Sequence, residues 1–91
     1  MARAGGSKFS FRAVEVFVAL VEEGAVTSAA RRLGASPSAV SLQLSNLERA
    51  VGAKLINRSA QLFALTPAGE SFFPRALRIL DEVASATASL S

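Results

Sequence analysis

Residues 27–52 contain two helical patterns separated by one tight turn, and this pair limits the folds that the chain can adopt. The segment "TSAARRLG" spans barely two helical turns and ends at Gly34, a residue type that readily closes a helix. After the turn "GAS", Ser36 can cap another helix with Pro37 in its first position, and Gly52 is expected to end it. Because so short a first helix is unstable alone, the pair must pack on neighbouring elements.

A longer amphipathic helix is predicted before this pair. It is expected to begin near Ser10, which can cap it, and to end near Gly24. Its apolar residues recur at helical spacing and form one stripe: Val14, Phe17, Val18 and Val21. The short second helix is expected to have Thr27 or Ser28 as its cap. A longer helix followed by two that share a glycine-containing turn is typical of a helix-turn-helix.

The third predicted helix has two different sides. Its buried side is expected to consist of Ala39 or Val40, Leu44, Leu47 and Val51. Its opposite side carries a mostly small and polar set: Ser38, Ser41, Leu42, Ser45, Asn46 and Arg49. In a helix-turn-helix this helix enters the DNA major groove, where small side chains permit close approach. Serine hydroxyls can donate to or accept from base edges there.

A two-stranded hairpin is predicted over residues 55–66. The segment "NRSAQ" is turn-like, and the turn itself is expected around Ser59–Gln61. Apolar residues flank it: Leu55, Ile56, Leu62, Phe63 and Leu65. A hairpin this small is stable only when it packs against helices. After a helix-turn-helix it would be a wing that touches the DNA backbone or minor groove. Arg58, at its base, suits a phosphate contact and a surface salt bridge equally well.

The rest of the chain, residues 67–91, is predicted to be one long helix. Thr66 is expected to cap it, Glu70 to complete a capping box, and Pro74 to bend it or delay its start. An apolar seam runs along it for more than two heptads: Phe72, Phe73, Ala76, Ile79, Leu80, Val83 and Leu90. We predict that this seam forms a homodimer, and the alternative is packing on the chain's own core.

Positive charge is concentrated in the middle of the chain. The net charge of the chain is +3. Residues 27–66 contain five basic residues and a single acidic residue, Glu48. Those basic residues are Arg31, Arg32, Arg49, Lys54 and Arg58. Such a segment attracts polyanions, of which nucleic acid is the commonest, although a solvated basic surface is the alternative.

The composition also excludes several classes of protein. The chain has no Cys and no His, so disulfides, thiolate metal sites and imidazole catalysis are excluded, and we expect neither a metal nor an enzyme. No apolar run approaches the roughly 18 residues of a membrane span, so no membrane partner is expected. The 91 residues, 51% of them hydrophobic, predict a single packed domain. Residues 1–8, with Gly, Ser and basic side chains, are expected to form a flexible arm.

Four motifs occur in one order along the chain: "TSAARRLGAS", "SAVSLQLSNLE", "VGAKL" followed by Arg58, and "LTPAG". In their order and spacing, Phe11–Leu80 resembles the N-terminal DNA-binding domain of LysR-type bacterial transcriptional regulators. The resemblance implies a mainly α fold, a winged helix-turn-helix followed by a linker helix. The corresponding ranges are 9–66 for the winged domain, about 25–44 for the helix-turn-helix, about 55–66 for the wing and 67–91 for the linker helix.

The same resemblance implies the partners. Linker helices of the family pair into a homodimer, which presents two recognition helices to a roughly palindromic double-stranded operator in the bacterial cytoplasm, at the nucleoid. A C-terminal effector-binding domain takes the small-molecule ligand in this family. Because the chain stops at Ser91, we expect that domain to be absent here and expect no cofactor in this part.

Together with the resemblance, the residue types predict a DNA interface. Thr27 and Ser28 are expected to hold a phosphate at the start of the second helix. The basic residues are candidates for further phosphates, although Arg31 and Arg32 can instead pair with Glu22 or Glu23. The complete predicted interface is Thr27, Ser28, Arg31, Arg32, Ser36, Pro37, Ser38, Ser41, Leu42, Ser45, Asn46, Arg49, Lys54, Arg58 and Gln61.

The chain departs from the family's pattern at four positions. Pro37 stands where Gln is frequent, Leu42 and Gln61 stand where Arg is common, and Ile56 stands where Phe is usual. Each bidentate contact with a base that is lost in this way lowers the discrimination between bases by about 1–3 kcal/mol. Leu42 could instead meet a thymine methyl, remain exposed or cover a dimer contact. Two alternatives to operator binding follow: a protein-interaction module that uses Leu42, and a basic architectural protein without sequence preference.

Overall fold

The computed structural model describes residues 10–59 and 63–90 and contains four helices and one hairpin. The elements are α1 (Phe11–Glu23), α2 (Val26–Leu33), α3 (Pro37–Val51), β1 (Ile56–Arg58), β2 (Phe63–Leu65) and α4 (Pro67–Ala88). This mainly α, winged helix-turn-helix architecture confirms the predicted fold class. The predicted arm, residues 1–8, lies outside the described residues.

The ends of α1 are formed as predicted. The Ala13 N–H donates to Ser10 Oγ at 3.1 Å, and Gly24 closes the helix in the left-handed conformation with φ of 77°. The guanidinium of Arg12 donates to the Leu33 carbonyl at 3.1 Å and so joins the start of α1 to the end of α2. These contacts hold the first two helices in one arrangement.

The predicted cap of α2 is wrong. The helix begins at Val26, its N-cap is Ala25, and no side chain caps it. Ala25 is extended, and its carbonyl accepts the Ala29 N–H at 3.0 Å, so the helical hydrogen bonds start earlier than the two hydroxyl residues. Thr27 and Ser28 therefore lie in the first helical turn.

The capped start of α3 is confirmed, but its predicted buried side is only partly correct. Ser36 Oγ accepts the Ala39 N–H at 3.1 Å, with Pro37 in the first helical turn. The buried row of α3 consists of Val40, Leu44 and Leu47. Val51 was expected in this row but is 37% exposed. Glu48, next to the row, is buried instead, because its carboxylate accepts a hydrogen bond from the Leu55 N–H at the start of the wing.

Packing of α4 on α1 corrects part of the predicted dimer seam. The Phe17 ring lies 5.4 Å from the Phe72 ring and 6.1 Å from the Phe73 ring, centroid to centroid. Ala76 is completely buried within the chain, so its side chain is not available to a second copy. Ile79 and Leu80 are half-buried against the same core. The first half of the seam is therefore largely core.

The wing is an antiparallel pair in which Ile56 lies opposite Leu65 and Arg58 lies opposite Phe63. Arg58 is therefore the last residue of the first strand, next to the turn, and not at the base of the wing as predicted. Leu55 and Ile56 are buried and fix the first strand to the core. The predicted turn lies partly outside the described residues, as do Leu62 and the interface candidate Gln61.

The start of α4 has the predicted cap but not the predicted capping box. Thr66 Oγ1 accepts the Gly69 N–H at 3.0 Å. Glu70 is the fourth residue of the helix rather than the third, and the Thr66 N–H already donates to the Leu55 carbonyl at 3.0 Å. Despite Pro74, the helix is continuous from Pro67 to Ala88.

Candidate nucleic-acid interface

A tight turn sets the angle between α2 and α3. Gly34 adopts the left-handed conformation, with φ of 67°, and the Ala35 N–H donates to the Ala30 carbonyl at 2.9 Å. Because Ala29 and Ala30 are small and buried, neighbouring helices can approach α2 closely. The turn places α3 as the second helix of the pair, which is the position of a recognition helix.

The side of α3 that turns away from its buried row forms what we call the outer face. It consists of Ser38, Leu42, Ser45, Asn46 and Arg49, whereas Ser41, predicted on the same side, lies half-buried at its edge. From Pro37 to Leu47 no side chain is charged, so this face is neutral over its first turns. Pro37 itself is exposed beside the Ser36 cap. Small hydroxyl side chains and the free amides of a helix N-terminus suit close contact with phosphate and base edges.

Cations border the outer face at two places. At the end of α3, the Arg49 guanidinium donates to Asn46 Oδ1 at 2.6 Å, which holds both side chains over the same turn. From the wing, Arg58 donates to Ser41 Oγ at 3.2 Å. The structure thus brings together β1 and α3, although the two partners are far apart in sequence.

A buried carboxylate, which sequence reasoning did not assign to the site, positions the wing. Glu48 Oε2 accepts the N–H groups of Leu55 and Ile56 at 2.8 Å and 3.2 Å. The other oxygen, Oε1, lies 3.6 Å from Lys54 Nζ. These contacts attach the first strand of the wing to the recognition helix. The available sequence signal was a lone acidic residue beside an apolar row in a basic segment.

Lys54 remains available at the surface. Its side chain is 77% exposed, so the ion pair with Glu48 leaves the ammonium open to another anion. The Lys54 carbonyl accepts the Thr66 hydroxyl at 2.6 Å, which ties the start of the wing to α4. A shallow cleft beside it is lined by Lys54, Ile56, Asn57, Arg58 and Thr66.

The two adjacent arginines of α2 have different surroundings. Arg32 Nη1 lies 2.9 Å from a carboxylate oxygen of Glu22 and 3.3 Å from one of Glu23. The hydrogen bond that Arg32 donates to Glu22, with help from Glu23, raises the pKa of Arg32 above its ordinary value. Arg31 is exposed and has no side-chain partner among the described residues. Of the two, only Arg31 is unengaged.

Two further findings concern other classes of site. Within residues 10–59 and 63–90, no three or more acidic, His or Cys side chains come together in a way that could hold a metal ion. In that same part of the chain, no helix has the length and apolar character needed to cross a membrane.

Comparison with protein families decides the relationship. The family described as "Bacterial regulatory helix-turn-helix protein, lysR family" matches residues 11–70. The chain belongs to the LysR family. Its match covers α1, the helix-turn-helix, the wing and the start of α4, which are the elements described above.

Curated relatives of this LysR-type domain are transcriptional regulators. The regulator CrgA of Neisseria meningitidis is 44% identical over 71 residues, and TfdS of Cupriavidus pinatubonensis is 46% identical over 71 residues. Each alignment covers 78% of this chain and 24% of the relative. The chain therefore spans about a quarter of the length of these relatives. Because the relatives are HTH-type transcriptional regulators, the similarity points to a DNA-binding part rather than to an enzyme.

Solved structures agree with this assignment. A BenM DNA-binding domain in complex with catB site 1 DNA has a TM-score of 0.86 and 32% identity, with 90% of this chain and 92% of that chain covered. A CbnR DNA-binding domain in complex with DNA has a TM-score of 0.84 and 33% identity, with 89% and 93% covered. This chain is accordingly a LysR-type helix-turn-helix DNA-binding domain.

Proposed function

We propose that this domain recognises a specific double-stranded operator as a homodimer, with residues 37–50 of each copy in a major groove. The wing would lie on the adjacent backbone or minor groove. The observation that carries the proposal is that the outer face of α3 is neutral from Ser38 to Asn46, while Arg49 lies at its end and Arg58 approaches it from the wing. A helix of this kind can fit closely between base edges while its borders bind phosphates.

The proposed roles follow the geometry of the interface. Thr27 and Ser28, in the first turn of α2, offer backbone N–H and hydroxyl groups to a phosphate. Outer-face hydroxyl and amide groups reach base edges, and Ser36 and Pro37 lie beside the groove. Arg31, Arg49, Lys54 and Arg58 would bind phosphates. We leave Arg32 out of this set because Glu22 and Glu23 engage it.

The remaining parts of the proposal concern the whole regulator. We propose that the exposed part of the α4 seam, with Val83 and Leu90, pairs two copies. The bacterial cytoplasm is the proposed location, because that is where an operator is found. A small-molecule effector would act on a domain outside this sequence, and this part would need no cofactor.

The exposed Leu42 favours a second candidate function, docking on another protein. A titration with duplex DNA at two salt concentrations separates the two candidates. Binding that weakens steeply with salt supports DNA recognition, because phosphate neutralisation releases counterions. No binding even at low salt would support protein docking, and equal affinity for selected and random duplexes would indicate an architectural protein.

The direct test of the recognition helix is Ser41→Glu. A carboxylate there would oppose phosphates and base acceptors and would engage Arg58, so we expect binding of a selected duplex to fall below detection in a gel shift. Ser71→Glu is the matched control, because it adds the same charge at an exposed serine on α4. Unchanged affinity for Ser41→Glu would contradict the placement of α3 in the groove.

A further inference from the structure

Leu42 is an apolar side chain in an unusual place. It is 60% exposed. Among the large hydrophobic residues of the described part, only Leu90, near the end of α4, is more exposed. Successive residues of an α-helix are about 100° apart, so Leu42 points about 170° away from the mean direction of the buried row of α3. It therefore lies at the centre of the outer face and contributes nothing to the core.

The surroundings of Leu42 are mostly polar, and the exception is the small exposed Ala39 one turn before it. Ser38 lies one turn before it, while Ser45 and Asn46 lie one turn after it, and Arg49 lies two turns after it. Every other side chain of the outer face can thus hydrogen-bond to a base or phosphate. The isobutyl group of Leu42 cannot, so the contact that it makes in a complex must be apolar.

We propose that Leu42 is a specificity-determining residue that selects thymine through contact with the thymine C5 methyl group. The inference rests on the proposed placement of α3 in the major groove. The C5 methyl is the apolar group that a base pair presents in that groove, and it distinguishes thymine from the other three bases. Contact with Leu42 removes both apolar surfaces from water, whereas cytosine, adenine or guanine would leave the side chain against polar edges.

Charge favours DNA over another occupant of this position. A protein partner would have to cover an apolar side chain bordered by Arg49 and Arg58, and these cations match a polyanion. A second copy of the chain is also a poorer match, because its net charge is +3 and the outer face is bordered by cations. We therefore commit to thymine.

The test uses a duplex obtained by selection from a library with about twenty randomised base pairs. Each thymine of the selected duplex is replaced, one at a time, by deoxyuracil, which removes the C5 methyl and leaves base pairing intact. Affinity is measured by fluorescence anisotropy for the wild-type protein and for Leu42→Ala. Since Leu42 is not part of the core, circular dichroism should give the same helix content for both proteins.

In each half-site, we expect deoxyuracil to weaken wild-type binding about threefold to fivefold at one thymine position. This is the effect expected from the loss of one buried methyl group. With Leu42→Ala, the same replacement should change affinity less than about 1.5-fold. Leu42→Met, which keeps an apolar side chain of similar size, should restore part of the sensitivity. Ser45→Ala is the matched control, because it alters a neighbouring contact and should keep the full sensitivity to the same methyl group.

Two outcomes would overturn the inference, and they differ in meaning. If every deoxyuracil replacement affects the wild type and Leu42→Ala equally, Leu42 does not read thymine, although α3 can still bind the groove. If selection enriches no duplex at low salt, the proposed operator binding fails and the inference fails with it.

Discussion

At the scale of single residues, neighbouring side chains of one type can have different roles. Arg31 and Arg32 follow each other on α2, and the sequence alone allowed either to bind phosphate or to pair with Glu22 or Glu23. The structure separates them, because Arg32 reaches both carboxylates while Arg31 is exposed. Neutralising a phosphate needs a cation that is not already neutralised, so Arg31 is the better candidate.

The salt dependence of DNA binding tests this difference. We expect Arg31→Gln to reduce the slope of log affinity against log salt by about one for each copy bound, since one phosphate is no longer neutralised. Arg32→Gln should leave the slope nearly unchanged and should lower the free energy of unfolding by less than about 1 kcal/mol, as its ion pairs are largely exposed. Anisotropy titrations between about 50 and 200 mM KCl give both slopes. Equal reductions of the slope would contradict the distinction.

At the scale of elements, local signals could be predicted and long-range contacts could not. Ser10, Ser36 and Thr66 were recognised as caps because capping depends on residues three positions apart. The attachment of the wing to α3 was missed, since Glu48 bonds to backbone groups seven and eight residues later. A carboxylate that satisfies backbone N–H groups leaves no periodic pattern in the sequence. The cap of α2 was misplaced because hydroxyl residues favour caps statistically, while the extended backbone of Ala25 fixes the actual start.

The joint between the wing and α4 depends on Gly69. A Cβ at this position would collide with the Leu55 carbonyl and would lie 2.8 Å from Leu65 Cδ2. Glycine in a helix normally costs about 1 kcal/mol relative to alanine, so the substitution would ordinarily stabilise. Here the close approach of the first turn of α4 to Leu55 reverses the expected sign.

We therefore expect Gly69→Ala to lower the free energy of unfolding by about 1–3 kcal/mol, because the start of α4 must move away from the wing. Urea unfolding followed by circular dichroism measures this change. Ser71→Ala serves as the control, since it is exposed in the same helix and should raise stability by at most about 0.5 kcal/mol. A stabilised Gly69→Ala protein would mean that the close approach is not present.

At the scale of the whole molecule, α4 changes from packed to exposed along its length. Phe72, Phe73 and Ala76 pack within the chain, whereas every residue from 81 to 90 is exposed. The periodic seam in the sequence could not reveal this change, because a core contact and a dimer contact require the same apolar spacing. Leu80 lies near the boundary and packs partly on the core, so a charge there would perturb folding and association together.

A charge at Val83 tests association alone. Val83 is 40% exposed, so Val83→Asp should leave the fold intact while placing a carboxylate in the proposed contact between two copies. We expect sedimentation equilibrium to give a monomer, and binding to a two-half-site duplex to weaken at least about a hundredfold, because the second half-site is no longer bound by a linked copy. Ser85→Asp is the matched control, since residue 85 lies about 160° from residue 83 around the helix and away from the seam. If Val83→Asp stays dimeric, or if Ser85→Asp dissociates equally, the contact between copies lies elsewhere than on this seam.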